Sequence, residues 1–329
     1  MPDRSLTADP LASPGPFLQG IGRTGSGGGR NATKQGQLAG TAPERITVRE
    51  NARHRAAGTA AGQTGRVPEL PEVELARQVL AGALDREIRE VDDHDDWVCR
   101  PHAPEDIAAA LRGGRLTEAH RRGKTLWCAT EGRDGQPGPH LGLHLGMAGQ
   151  LRFAGRSGPP GRARDRVEKP EWFRFGITFA DGEQLQLFDT RRLSRVRLDP
   201  DLDALGPDAG EISRRDFAER VGRGRAPLKA RLLDQSVVAG IGNLLADETL
   251  WQAALSPARP VNELTGDDLA HLHKALRKAL RAAIRHGGVH TGEFIGHRRA
   301  GDHCPRCGAE LSHGTVGGRS TWWCPKEQA

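Results

Sequence analysis

The hydrophobic period changes repeatedly along this 329-residue chain, and each change limits what the local segment can become. Behind Pro71, the residues Val73, Ala76, Val79, Leu80, Ala83 and Leu84 recur at three- and four-residue steps. A proline in the first turn and that spacing predict a helix of about four turns. From about residue 86 to 198 the pattern becomes short segments such as KTLWCAT, HLGLHLGMAGQLRF, FRFGITFA and EQLQLFDT, parted by Gly, Pro and Asp. These read as an all-β sandwich or barrel. The helical period returns from about residue 213 to 286 in Leu228, Leu232 and Leu233, then Leu244, Leu245 and Leu250, then Leu269, Leu272, Leu276 and Leu280. A glycine-bearing turn, VVAGIGN, separates the first two helices, and the last 35 residues carry a cysteine framework. The chain is therefore α+β and multidomain.

The first 66 residues differ from all of this. They are rich in Gly, Ala, Thr, Arg and Pro, contain GSGGGR and hold no useful period, so disorder is expected. No run approaches the roughly 18 apolar residues of a membrane span, and the N-terminus lacks the apolar stretch of a signal peptide. The expectation is a soluble, cytoplasmic protein without a membrane partner. A net charge of +6 invites a nucleic-acid reading only once it is located. Residues 67–213 hold 21 basic and 26 acidic side chains, whereas residues 214–329 hold 18 and 12. The excess that would meet phosphate lies in the C-terminal third. Only seven of 48 basic residues are lysines, a bias expected of a GC-rich genome, so each lysine is worth weighing singly.

Three motifs, in order, resemble one family. They are PELPEVE at 68–74, LLDQSVVAGIGNLLADETLWQAALSP at 232–257, and HCPRCG followed by RSTWWCP. Together they resemble the formamidopyrimidine-DNA glycosylase and endonuclease VIII family of bifunctional DNA glycosylases and AP lyases. The resemblance implies an N-terminal β-sandwich with a leading helix over 67–205, a helix-two-turn-helix domain over 206–290 and a zinc-finger-like hairpin over 291–329. It implies a monomer that acts on double-stranded DNA containing damaged bases or abasic sites.

In this family the proline of PELPEVE is the mature N-terminus, and its secondary amine attacks C1′ of the damaged nucleotide. An internal proline nitrogen is an amide with no lone pair to offer, so Pro68 is inert while residue 67 is attached. Residue 67 is Val, and GTG, a valine codon, also serves as a bacterial start; translation from Val67 with removal of the initiator is expected, against a genuine basic tail or a removable propeptide. By resemblance Glu69 protonates the sugar ring oxygen, Glu72 supports it, and Lys124 in RRGKTLW contacts phosphate. Read without the family, the two glutamates are acids favourable in the first turn of a helix.

The resemblance also assigns DNA contacts. His144 would bind phosphate, and Met147 would enter the stack in place of the flipped nucleotide. Arg191 would pair with the orphaned base, with Leu193 where an aromatic is frequent. Lys229, Asn243 and Gly242 would grip phosphates, as would Arg319 on the finger. The finger implies structural zinc on Cys304, Cys307 and Cys324, but the fourth ligand position holds Glu327, with His303 the other candidate. Packing of Trp322 and Trp323 is the alternative support. Cys99 and Cys128 read as core. The segment 289–303 is short for the loop that closes over 8-oxoguanine in some members, which leans the substrate toward oxidised pyrimidines or abasic sites. The rivals are a non-catalytic lesion-binding paralogue, an 8-oxoguanine or formamidopyrimidine enzyme, and a zinc-finger regulator that would leave PELPEVE unexplained.

Overall fold

A computed structural model describes residues 67–154 and 168–328. The disorder and the alternative start expected for residues 1–66 lie outside the described residues. Helix α1, Leu70–Ala81, begins where the proline and the glutamates place it, because Glu72 reaches back to accept a hydrogen bond from Glu69 N at 3.0 Å. Its two ends belong to different cores. Val73, Ala76 and Leu80 pack into the β domain, whereas Leu70 packs into the helical domain. The residues just before α1 are thereby fixed at the junction of the two.

The β domain is a sandwich of two four-stranded antiparallel sheets. One has the order β1 (Ile88–Asp92), β6 (Phe173–Phe179), β7 (Gln184–Phe188), β5 (Gln150–Phe153). The other runs β2 (Arg115–Arg122), β3 (Thr125–Glu131), β4 (Pro137–His144), β8 (Arg195–Leu198). Alternation decides what is inside: Leu126, Cys128, Leu141, Leu143 and Val196 from one sheet share a core with Ile177, Phe179, Leu185 and Leu187 from the other. Cys99 is buried in the same core. The all-β expectation for 86–198 misses two short helices, α2 (Asp96–Cys99) and α3 (Asp106–Leu111). Both are pinned by aspartates, Asp95 accepting from Val98 N and Asp93 from Ile107 N and Ala108 N. Apolar runs of four to six residues carry too little period to be told from strand.

The helical domain holds α4 (Arg214–Val221), α5 (Leu228–Leu233), α6 (Asn243–Gln252) and α7 (Gly266–His286). The turn between α5 and α6 presses on α1 and on the β2–β3 turn. Gly240 has φ +109°, and a Cβ there would stand 2.6 Å from Leu70 Cδ1. The last module is a hairpin of β9 (Ser312–Val316) and β10 (Arg319–Trp323). Its core is Trp251 of α6 with Phe294, Leu311, Cys304 and Cys324, so α6 rather than the hairpin tryptophans alone supplies the anchor.

Candidate active site

Pro68 and Glu69 are buried at the junction of the β and helical domains. The Glu69 carboxylate accepts from Leu244 N at 2.8 Å and Leu245 N at 2.9 Å, capping α6 from another element. This explains Gly242 at the helix start: a Cβ there would lie 2.2 Å from the Glu69 carboxyl carbon. Burial pushes Glu69 up to about 7, against the helix N–H groups and Lys124, which favour its charged form. Glu72 spans the domains, its other oxygen accepting from Val289 N at 2.7 Å.

Lys124, on the turn before β3, donates from Nζ to Ile241 O at 3.1 Å. Burial draws its ammonium below the usual lysine range, Glu69 draws it back up and Arg319 adds to the fall. His144 ends β4 with its affinity for protons lowered by burial first and then by Lys124, Arg195 and Arg197. Arg319 is exposed at the tip of the finger hairpin. The fold thus gathers Glu69, Lys124, His144 and Arg319, residues as much as 250 positions apart in the chain, around the Pro68 segment.

Two loops flank this centre. Met147 and Leu193 stand exposed at their tips. They are locked together, since a Cβ on Gly146 would be 2.4 Å from Leu193 O. The second loop is built by Asp189, a buried carboxylate that the sequence reading passed over. It accepts from Arg191 N at 2.8 Å, Leu193 N at 2.7 Å and Ser194 N at 2.8 Å, leaving the Arg191 side chain exposed. An aspartate bonded to the backbone two residues on is an Asx turn, the one local signal that points to it. Arg192 clamps the loop to Asp95 and Asp96 of the α2 segment.

Three expectations are corrected. Lys229 does not face phosphate: its side chain is fully enclosed, 2.7 Å from Asp247, and donates to Ser320 O and Thr321 Oγ1. Asp247 also pairs with Arg298 at 2.8 Å, so this cluster ties the finger to α5 and α6. The second concerns the turn before α6: its Gly240 N–H is not free for phosphate but donates to Gln235 Oε1 at 3.0 Å, while Gly242 makes room for Glu69. Asn243 is half-buried and donates to Ser320 O at 3.1 Å. The third concerns metal. The Sγ atoms of Cys304, Cys307 and Cys324 all lie within 4.8 Å of one another, a fit for a thiophilic ion through three ligands. Neither Glu327 nor His303 joins that set. Glu327 pairs instead with Arg306 at 3.3 Å, and His303 is exposed.

Residues 67–196 match the family model described as formamidopyrimidine-DNA glycosylase N-terminal domain, and residues 204–294 match its H2TH domain. The chain is 34% identical over 294 residues to a formamidopyrimidine-DNA glycosylase of Roseiflexus sp., an alignment that covers 80% of this chain and 100% of that protein. It is 33% identical over 304 residues to one of Mycobacterium avium, covering 80% and 98%. Among solved structures, Fpg of Lactococcus lactis in complex with abasic-site DNA superposes with a TM-score of 0.66 at 27% identity, covering 80% of this chain and 100% of that one. MutM (Fpg) of Thermus thermophilus gives 0.63 at 32% identity, covering 79% and 98%.

Proposed function

The chain belongs to the formamidopyrimidine-DNA glycosylase family of base-excision repair enzymes, and from that premise we propose that it both releases an oxidised base and cleaves the strand through a Schiff base on Pro68. The observation that carries this reading is the Glu69 carboxyl, next in the chain to Pro68, buried against the start of α6 within electrostatic reach of Lys124 and raised to about 7 by burial.

The amine of Pro68 attacks C1′ of the damaged nucleotide, the glycosidic pair leaves with the base, and the proton that the attack leaves on the nitrogen neutralises the departing base. Glu69, protonated below its raised pKa, gives its proton to the sugar ring oxygen as the ring opens, and the nitrogen and C1′ become an iminium. Loss of a C2′ proton then expels the 3′ phosphate. Lys124, His144, Asn243 and Arg319 supply cationic and polar groups for the backbone around the flipped nucleotide, and Met147, Arg191 and Leu193 fill and read the gap it leaves. None of these steps runs through a metal. Zinc on the three cysteines would only brace the hairpin that carries Arg319.

The substrate lean toward oxidised pyrimidines and abasic sites rests on the segment 289–303, which is packed down: Phe294 is buried and its N–H is held by Glu248 at 2.9 Å. The names of the relatives favour formamidopyrimidine lesions as the second reading, and one Lactococcus lactis Fpg structure holds an oxidised pyrimidine in DNA. The Pro68 nitrogen is a nucleophile only as a free amine, so the working form in this reading begins at Pro68. A chain beginning there should be trapped on abasic or oxidised-base DNA by borohydride, and the 329-residue chain should not. Lesion binding without trapping in the shorter chain would make it a non-catalytic damage binder. Trapping by the 329-residue chain would move the nucleophile to another amine, Lys124 first.

A further inference from the structure

Among the described residues, the large apolar side chains that stand exposed are Val67, Trp97, Met147 and Leu193. Three of them sit at the site above; Trp97, 48% exposed on α2, has no part in it. The guanidinium of Arg100 lies over the Trp97 ring, 3.5 Å from its centre, and donates to the Trp97 carbonyl at 3.0 Å. Arg195 approaches the same ring at 5.4 Å. In the sheet Arg195 is the cross-strand partner of His144, and Arg197, two residues on, shares its face. A line of guanidiniums therefore leads from His144 along β8 to Trp97.

Arg100, Arg195 and Arg197 form no ion pair with a carboxylate among the described residues, in a domain that is acidic overall. Burial, then Arg100 and Arg197, lower the proton affinity of Arg195, and Asp189 and Asp95 oppose them without prevailing. Stacking on an aromatic ring fixes a guanidinium plane while leaving N–H donors free at its edge, an arrangement suited to phosphate oxygens. Both the bare indole and the unneutralised charge are offset when a polyanion lies across them.

We propose that Trp97, Arg100, Arg195 and Arg197 form a second grip on DNA that takes the phosphodiester backbone flanking the nucleotide addressed by His144 and Lys124. This rests on the glycosylase reading for the position of the duplex, and continuity with His144 and charge complementarity select DNA as the occupant. Trp97 acts here through the arginines it holds.

The test is equilibrium binding of the full chain, across a salt series, to undamaged duplex and to duplex carrying a tetrahydrofuran abasic analogue. Each phosphate contact contributes about 0.9 to the slope of log affinity against log salt. The double variant Arg100→Gln/Arg197→Gln should flatten that slope by about two on both duplexes and weaken both by the same factor. Arg197→Gln alone should flatten it by about one. Arg197 makes no side-chain hydrogen bond among the described residues, so this variant decides the matter should the double variant fold poorly. Unchanged slopes in Arg197→Gln overturn the proposal. Lesion preference in the wild-type chain reports separately on the glycosylase reading: its absence counts against that reading, whereas the change in slope still decides whether this surface holds DNA.

Discussion

Glu69 shows how much one carboxylate is asked to do. The same oxygens that cap α6 belong to the group expected to protonate the sugar, so its environment must hold a charge loosely. With the pKa raised to about 7, the acid form prevails below neutrality and is lost above it. The single-turnover rate of iminium formation, read by borohydride trapping, should therefore fall as pH rises through about 7, roughly tenfold per unit well above it. Glu69→Gln should remove that alkaline limb and slow trapping by about 10² to 10⁴, and an unaltered pH profile in this variant would take Glu69 out of the proton transfer. Lys229 makes the opposite point. Burial draws its ammonium toward the neutral form, and Asp247 opposes that. Lys229→Met leaves Asp247 enclosed with Arg298 as its one remaining ionic partner among the described residues, and should cost about 3–5 kcal/mol in denaturant unfolding. Because the ammonium is enclosed, the salt slope of DNA binding in any folded fraction should stay as in the wild type.

At the scale of elements, the finger hairpin is the most instructive. It is held by Trp251 and Phe294 stacked at 5.6 Å and by the Lys229, Asp247 and Arg298 cluster, as well as by whatever the three thiols bind. Three thiolates hold a metal less tightly than the closed four-ligand site that structural zinc prefers. Purified protein should retain less than one zinc against a chelator. Glu327→Cys should raise both occupancy and resistance, measured as metal content after dialysis, at the cost of the contact to Arg306. Full occupancy in the wild type that a chelator leaves untouched would show that a fourth ligand is already supplied. The loop over 189–194 behaves differently, since its exposed residues Arg191, Arg192 and Leu193 stand between the buried Asp189 and Ser194. Its shape comes from Asp189 accepting three backbone N–H groups, so what a strand would obtain from its neighbours this loop obtains from one side chain.

At the scale of the whole molecule, the β and helical domains are joined through a buried carboxylate. Asp208 pairs with Arg121, which also reaches Glu74 at 3.1 Å, and it accepts from Gly123 N at 2.7 Å and Gly210 N at 2.8 Å. Asp208→Ala leaves the buried Arg121 with Glu74 alone, takes the acceptor from Gly123 N and Gly210 N, and should destabilise by about 3 kcal/mol. It should also separate the unfolding transitions of the two domains when followed by different probes, and a single coincident transition of wild-type midpoint would show that the apolar contacts of α1 suffice. The order of the modules, the leading helix, the sandwich segments and the three cysteines were legible in the sequence, because period, proline and CxxC spacing act over a few residues and need no knowledge of what packs where. The resemblance added Pro68, Glu69 and Lys124, and the fold brings them together. What tertiary structure alone decided is which charges face water. Lys229 and Lys124 look alike in the chain, yet one is sealed against Asp247 and the other borders Glu69 at the centre. Gly242 reads as a turn glycine until Glu69, 173 residues away, is seen to fill its missing side chain's place. Burial and long-range pairing are properties of contacts between distant segments, and a local pattern carries no record of them.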